Sequence, residues 1–190
     1  MTTNPLIYLF GFPGVGKNTI ARAIENRTEF LAIQNHLLSN ALRRAASLLP
    51  AENYGQLEPL LKHHTMKAWV NFLEFVAAAV PQQGLIVTSV LYENDPEKVE
   101  FFELVRDWAV SQNRAFVPVR LVCNPDELAR RIESPSRDIQ FKLTDSSILK
   151  NIMHNNTLLQ AEECFELDVT ALTANEAAGK ILEFVEQGKK

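Results

Sequence analysis

Near its start the chain reads Gly11-Phe12-Pro13-Gly14-Val15-Gly16-Lys17, three glycines and a lysine within one short turn. Glycines so placed let the backbone curl until its N–H groups converge, and converging N–H groups bind phosphoryl oxygens. Lys17 adds a positive charge for the terminal phosphates of a nucleotide. The helix-forming run after it, with Ile20, Ala21 and Ile24 at helical spacing, would bring its positive N-terminus to the same place. The chemistry implied is the holding of nucleotide phosphates by Gly11, Pro13, Gly14, Val15, Gly16, Lys17, Asn18 and Thr19. A glycine-rich turn that merely joins a strand to a helix is the competing reading. The buried strand before it and the helix after it, with all the fixed positions present, weigh against that.

The elements that must position this loop follow from periodicity. Leu6 to Phe10 is a continuous apolar run, as expected of a strand covered on both faces. Further strands are predicted at 30–33, 85–90, 115–122 and 164–169. Helical patterns lie at 17–26, through Leu37, Leu38, Ala41 and Leu42 to near Pro50, and at 60–80, 96–111, 125–132, from 146, and 175–185. The stretch 50–59, with Pro, Asn and Gly, reads as a loop, and 133–145 as a polar, charged segment. Strands alternating with helices of this length predict an α/β fold of three layers around a five-stranded parallel sheet. No internal repeat or linker interrupts residues 1–190, which reads as a single domain.

Composition narrows the function classes. The formal net charge is −4 and no dense run of Lys or Arg occurs, which argues against backbone-driven binding of nucleic acid. No apolar run approaches the roughly 20 residues that span a bilayer, so no membrane partner is expected. The first residues lack the basic region of a signal peptide, and Cys123 and Cys164 form no paired motif; a cytoplasmic location is expected. His63 and His64 are adjacent, not four apart as a helical metal pair would be, and read as solvent-facing. Trp69 and Trp108 fall on apolar helix faces and read as core.

From Gly11 to Thr19 the pattern Gly-x-Pro-Gly-x-Gly-Lys-x-Thr resembles the loop of the adenylate kinases. Those enzymes also lack a hydroxyl directly after the lysine, carry Thr in the next place, and hold Mg²⁺ largely through phosphate oxygens and water. Mg²⁺ dehydrates reluctantly, so a missing protein ligand need not abolish its binding. Element order and the polar segment extend the resemblance to the nucleoside-monophosphate, shikimate and gluconate kinases and to the small antibiotic phosphotransferases. It implies the P-loop nucleoside triphosphate hydrolase fold with strand order 2-3-1-4-5, ATP and Mg²⁺ as cofactors, and a lid at about 133–145. Asn18 and Thr19 are then the candidate metal ligands. Arg131 would lie against the adenine, with Arg130 able to take its place, and Arg137 would reach the transferring phosphate; Lys142 could assist.

In an open parallel sheet, ligands bind beyond the carboxyl ends of the strands. After the second strand stand Asn35 and His36, where shikimate-kinase-like enzymes place acidic residues. His36 is the candidate general base, its reference pKa lying near neutrality, and Asn35 would orient the acceptor. At the end of the third strand these kinases carry an Asp, and here Thr88 and Ser89 occupy its place, with Glu93 and Asp95 later. Thr88 would face the acceptor or a metal-bound water. Asp168 matches a residue before the last helix and reads first as a turn or cap.

The function expected is transfer of the γ-phosphate of ATP to a small-molecule acceptor: a nucleotide, a shikimate-like or sugar-acid-like molecule, or an antibiotic. The protein would act as monomer or homodimer. The alternative is a catalytically weak nucleotide-binding sensor or partner-binding module, which Asn18 and the missing carboxylate would suit. A GTPase would need Asn-Lys-x-Asp after the fourth strand, where the chain reads Val122-Cys123-Asn124-Pro125.

Overall fold

The computed structural model describes residues 3–34, 41, 44, 54–134 and 143–188. Five strands, β1 (Thr3–Phe10), β2 (Leu31–Gln34), β3 (Leu85–Ser89), β4 (Arg114–Val122) and β5 (Phe165–Asp168), form one parallel sheet in the order β2-β3-β1-β4-β5. This is the order 2-3-1-4-5 anticipated above. The helices with described bounds are α1 (Lys17–Glu25), α2 (Tyr54–Ala79), α3 (Pro96–Ser111), α4 (Pro125–Ile132), α5 (Ser146–Asn155) and α6 (Ala174–Gln187).

Alternation along β1 divides the interior in two. Ile7 and Leu9 point into a cluster with Ile20 and Ile24 of α1, Leu128 of α4, Leu149 of α5 and Ile181 of α6. Leu6, Tyr8 and Phe10 point the other way, toward Trp69 and Leu73 of α2 and Phe101, Phe102 and Val105 of α3. All five residues from Leu6 to Phe10 are fully buried, as a strand with helices on both sides must be. The result is the three-layer α/β/α arrangement. In the second cluster the rings of Tyr8 and Phe102 meet edge to face at 5.1 Å, and those of Trp69 and Phe101 at 5.2 Å.

The loop expected at 50–59 is shorter than its Pro and Gly suggest, since α2 already begins at Tyr54 and runs through Pro59. Trp69, Leu73 and Val76 anchor the rest of this helix in the core, and each residue added to a nucleated helix needs little further stabilisation. The helix anticipated between 37 and 50 lies outside the described residues except at 41 and 44.

Sequence-local caps fix the other helices. Asp95 accepts from the Lys98 amide ahead of Pro96 at the start of α3, and Asn124 accepts from the Asp126 amide before α4. Thr173 and Glu176 cap α6 reciprocally. Arg114, 6% exposed, stitches the amino ends of the strands to their approaches. Its guanidinium donates to the carbonyls of Asn4 (3.3 Å), Gln83 (2.5 Å) and Pro81 (3.2 Å).

Candidate active site

At the carboxyl ends of β1 and β4 the chain opens into a cleft of about 740 Å³. That is within the roughly 300–1,000 Å³ of small-molecule sites. One wall is the glycine-rich loop and the start of α1, from Pro13 to Ile20; the other is the connection from β5 to α6, with Arg130 and Arg131 of α4.

The loop's shape depends on its glycines. Gly14 and Gly16 have φ of 92° and 103°, in the left-handed region that side chains disfavour. Gly11 passes so close to β4 that a Cβ there would lie 2.5 Å from the Leu121 carbonyl oxygen. Gly16 is the N-cap of α1 and brings no side chain to its amides, and the first turn holds no acidic residue. The helix therefore presents its N-terminal N–H groups and their positive dipole to the cleft. The Lys17 ammonium arches back over the loop and donates to the carbonyls of Gly11 (2.8 Å) and Phe12 (2.9 Å). Phe12 packs on Tyr92, ring centroids 5.7 Å apart, which steadies the loop from outside. Burial, with Asp95 nearby, pushes the Tyr92 phenol up to about 12, so it stays neutral.

Asn18 is half-buried and turned toward the sheet. Its Oδ1 accepts from the Thr88 hydroxyl (3.1 Å), and its Nδ2 donates to Gln34 Oε1 (3.3 Å). Thr88 and Ser89 are 1% and 2% exposed. Thr19 is exposed at the start of α1.

The opposite wall is held by charge. Arg131 donates to the carbonyls of Val15 (3.3 Å), Val169 (2.8 Å) and Thr170 (3.2 Å), so one guanidinium ties the phosphate loop to the β5–α6 connection. Its Nε, like the Arg130 guanidinium, donates to Glu127. Those hydrogen bonds bring the Glu127 carboxyl down to about 2. Arg131 is 22% exposed in the cleft wall and Arg130 74% exposed. Asp168 accepts from the amide (2.8 Å) and hydroxyl (2.6 Å) of Thr170, which holds its carboxyl below the usual range. The Thr170 hydroxyl in turn accepts from the Asn124 amide at 2.9 Å. Asp168 is thus a turn residue.

Of the site residues anticipated from the loop, Pro13 through Thr19 line this cleft and Gly11 lies buried against β4 behind it, with Arg131 across from them and Thr88 reached through Asn18. Asn35, His36, Arg137 and Lys142 lie outside the described residues. Two residues here escaped the sequence reading. Gln34 stands at the end of β2, the criterion that singles out Asn35 and His36. Glu127 lies three and four residues before Arg130 and Arg131, the spacing of helical ion pairs.

Among the described residues the donor set suits a nucleotide and offers a divalent cation no free carboxylate. Backbone amides, a helix N-terminus and a lysine match phosphoryl oxygens. Mg²⁺ is usually held by one or two carboxylates together with phosphates. Among the described residues no three His, Cys, Asp or Glu cluster as metal ligands would, and Glu127, the one carboxylate lining the cleft, is tied to two arginines.

A glycine-rich phosphate loop between the central strand of a 2-3-1-4-5 parallel sheet and its helix defines a protein of the P-loop α/β/α class. The chain belongs to the AAA domain family, whose model matches residues 7–145. Its fold is also that of P-loop small-molecule kinases. A sugar kinase from Janibacter sp. HTCC2649 superposes with TM-score 0.61 at 15% identity, covering 96% of this chain and 95% of the other. The Deinococcus radiodurans tunicamycin resistance protein gives 0.59 at 16%, covering 96% of each. A gluconokinase from Sinorhizobium meliloti gives 0.57 at 17%, covering 100% of each. No curated protein matches the sequence. Among the described residues no helix is long and apolar enough to cross a membrane.

Proposed function

We propose that this protein is an ATP-dependent kinase that transfers the γ-phosphate to a small-molecule acceptor. The observation that carries this reading is the Lys17 ammonium poised over a loop of converging amides at the edge of a nucleotide-sized cleft. Phosphoryl transfer asks little covalent chemistry of a protein. It asks for charge stabilisation and for alignment of the attacking and leaving oxygens. The loop amides and Lys17 hold the β- and γ-phosphates and take up charge as the bond to the β-phosphate oxygen breaks. The β5–α6 connection and Arg131 receive the base and ribose. An acceptor hydroxyl beyond the ends of β2 and β3 attacks the γ-phosphorus and gives its proton to His36. Asn35 orients the acceptor, Thr88 backs the loop through Asn18, and Arg137, from the lid at 133–145, meets the transferring phosphoryl group. The sugar kinase and gluconokinase of like fold support a small polar acceptor, and the enzyme would act in the cytoplasm as a monomer or homodimer.

Lys17→Ala is the direct test. In a phosphorylation screen of polar metabolites with labelled ATP, the wild type is expected to hydrolyse ATP slowly alone and to turn over faster with its acceptor. The variant should lose at least about a hundredfold of that turnover, as loss of a transition-state charge partner does. Unchanged binding and turnover in Lys17→Ala would refute the assignment.

A further inference from the structure

Position 18, which has no hydroxyl, and the end of β3, which has no Asp, are joined in the structure. Thr88 donates to Asn18, which donates to Gln34, forming an uncharged hydrogen-bonded chain across the first turn of α1 and the ends of β3 and β2. Carboxylates lie nearby in sequence, but each is committed elsewhere. Glu93 accepts from the Gln160 amide, Asp95 caps α3, and Glu127 is held by two arginines on the far wall. The phosphate wall therefore carries a lysine, amide dipoles and neutral side chains, and the one described carboxylate lining the cleft, Glu127 on the opposite wall, is neutralised by two arginines.

This matters for what the loop can accept. A carboxylate beside the phosphates repels a bare triphosphate and so makes binding depend on an intervening cation. Where the neighbouring side chains are neutral, that repulsion is gone and the amides and Lys17 meet the anion directly. We infer that this phosphate site binds the triphosphate group without a divalent cation, with the Thr88–Asn18–Gln34 chain positioning the loop in place of a metal-holding pair. The inference rests on the cleft being a nucleotide site. It concerns binding, whatever the metal requirement of turnover.

The test is titration calorimetry of the full chain with ATP, once in excess Mg²⁺ and once in EDTA, with inorganic triphosphate as a probe lacking the base. Wild-type affinities for ATP should agree within about threefold between the two conditions, and inorganic triphosphate should bind in EDTA. Asn18→Asp and Gln34→Glu each add one negative charge without changing shape. Each should weaken metal-free ATP by about tenfold or more, through like-charge repulsion at short range, and weaken the Mg²⁺-saturated affinity several-fold less. Two variants, at the middle and at one end of the hydrogen-bonded chain, guard against one failing to fold, which circular dichroism reports. Wild-type binding that appears only with Mg²⁺ overturns the inference, and so do variants that bind metal-free ATP as well as the wild type. If no triphosphate binds under either condition, the nucleotide reading of the cleft falls first and takes this inference with it.

Discussion

The two walls of the cleft are built on opposite principles. The phosphate wall is made of backbone and of neutral side chains, with Lys17 its one described cation, and its hydrogen bonds link Asn18 to Thr88 and Gln34. The opposite wall is made of ions: Arg130 and Arg131 on Glu127, Asp168 on Thr170, and Arg131 on three carbonyls. A wall of amides and dipoles is organised before any charge arrives, so little reorganisation is needed as charge develops. The ions of the other wall pair within α4, and Arg131, donating to the carbonyls of Val15, Val169 and Thr170, keeps the β5–α6 connection in register with the loop. One side is shaped to meet an anion, the other to keep the first side in place.

This contrast can be broken from the charged side. The largest effect is expected from Arg131→Ala, which releases the Val15, Val169 and Thr170 carbonyls at once. Binding of inorganic triphosphate, which has no base to contact, should fall at least about tenfold along with ATP, because the loss acts through the loop. If triphosphate binding survives while ATP binding falls, Arg131 serves the base alone and the walls are independent. A smaller effect is expected from Thr170→Val, which removes the hydroxyl shared by Asp168 and the Asn124 amide. Denaturant titration should register about 1 kcal/mol, the ordinary net value of such hydrogen bonding.

The smallest effect is a matter of pH. Arg130 and Arg131 bring the Glu127 carboxyl from 4.5 to about 2, so its contribution to stability is complete above about 4.5 and is lost as pH falls toward 2. Melting temperatures measured between pH 5 and pH 2 should decline more steeply in the wild type than in Glu127→Gln. Equal slopes would show that the ion cluster, partly open to solvent, contributes nothing measurable.

The legible parts of the molecule were those encoded locally. An unbroken apolar run from Leu6 to Phe10 has no place except between two helical layers, and three glycines before a lysine dictate the turn that follows. Alternating helices and strands carried the layer architecture, while the strand order came with the resemblance to the kinases. Less legible were contacts that join distant segments. Thr88 and Asn18 are 70 positions apart and meet only because β3 lies beside β1 in the sheet. Seen in sequence, Asn18 belongs to the loop and Thr88 to a distant strand end; in space they are one hydrogen bond. Sequence favours Arg131 over Arg130 without separating their roles; both line the cleft, but Arg131 is 22% exposed and bonded to three carbonyls while Arg130 is 74% exposed. The boundary at Tyr54 was obscured because Gly55 and Pro59 mark turns only where no core-anchored helix continues through them.

β1 has a consequence of another kind, for the order in which the molecule can assemble. Leu6 pairs with Leu85 on one side and Phe116 on the other, so the strand leading into the phosphate loop has no neighbours until both later strands exist. The earliest strand of the chain is thus completed late, by partners far along the sequence, the kind of long-range closure that slows folding. The Gly11 crossing over Leu121 forms only at that closure, so an intact phosphate loop reports that the centre of the sheet has closed. A ligand that grips this loop selects finished molecules over unfinished ones, and by mass action holds them so.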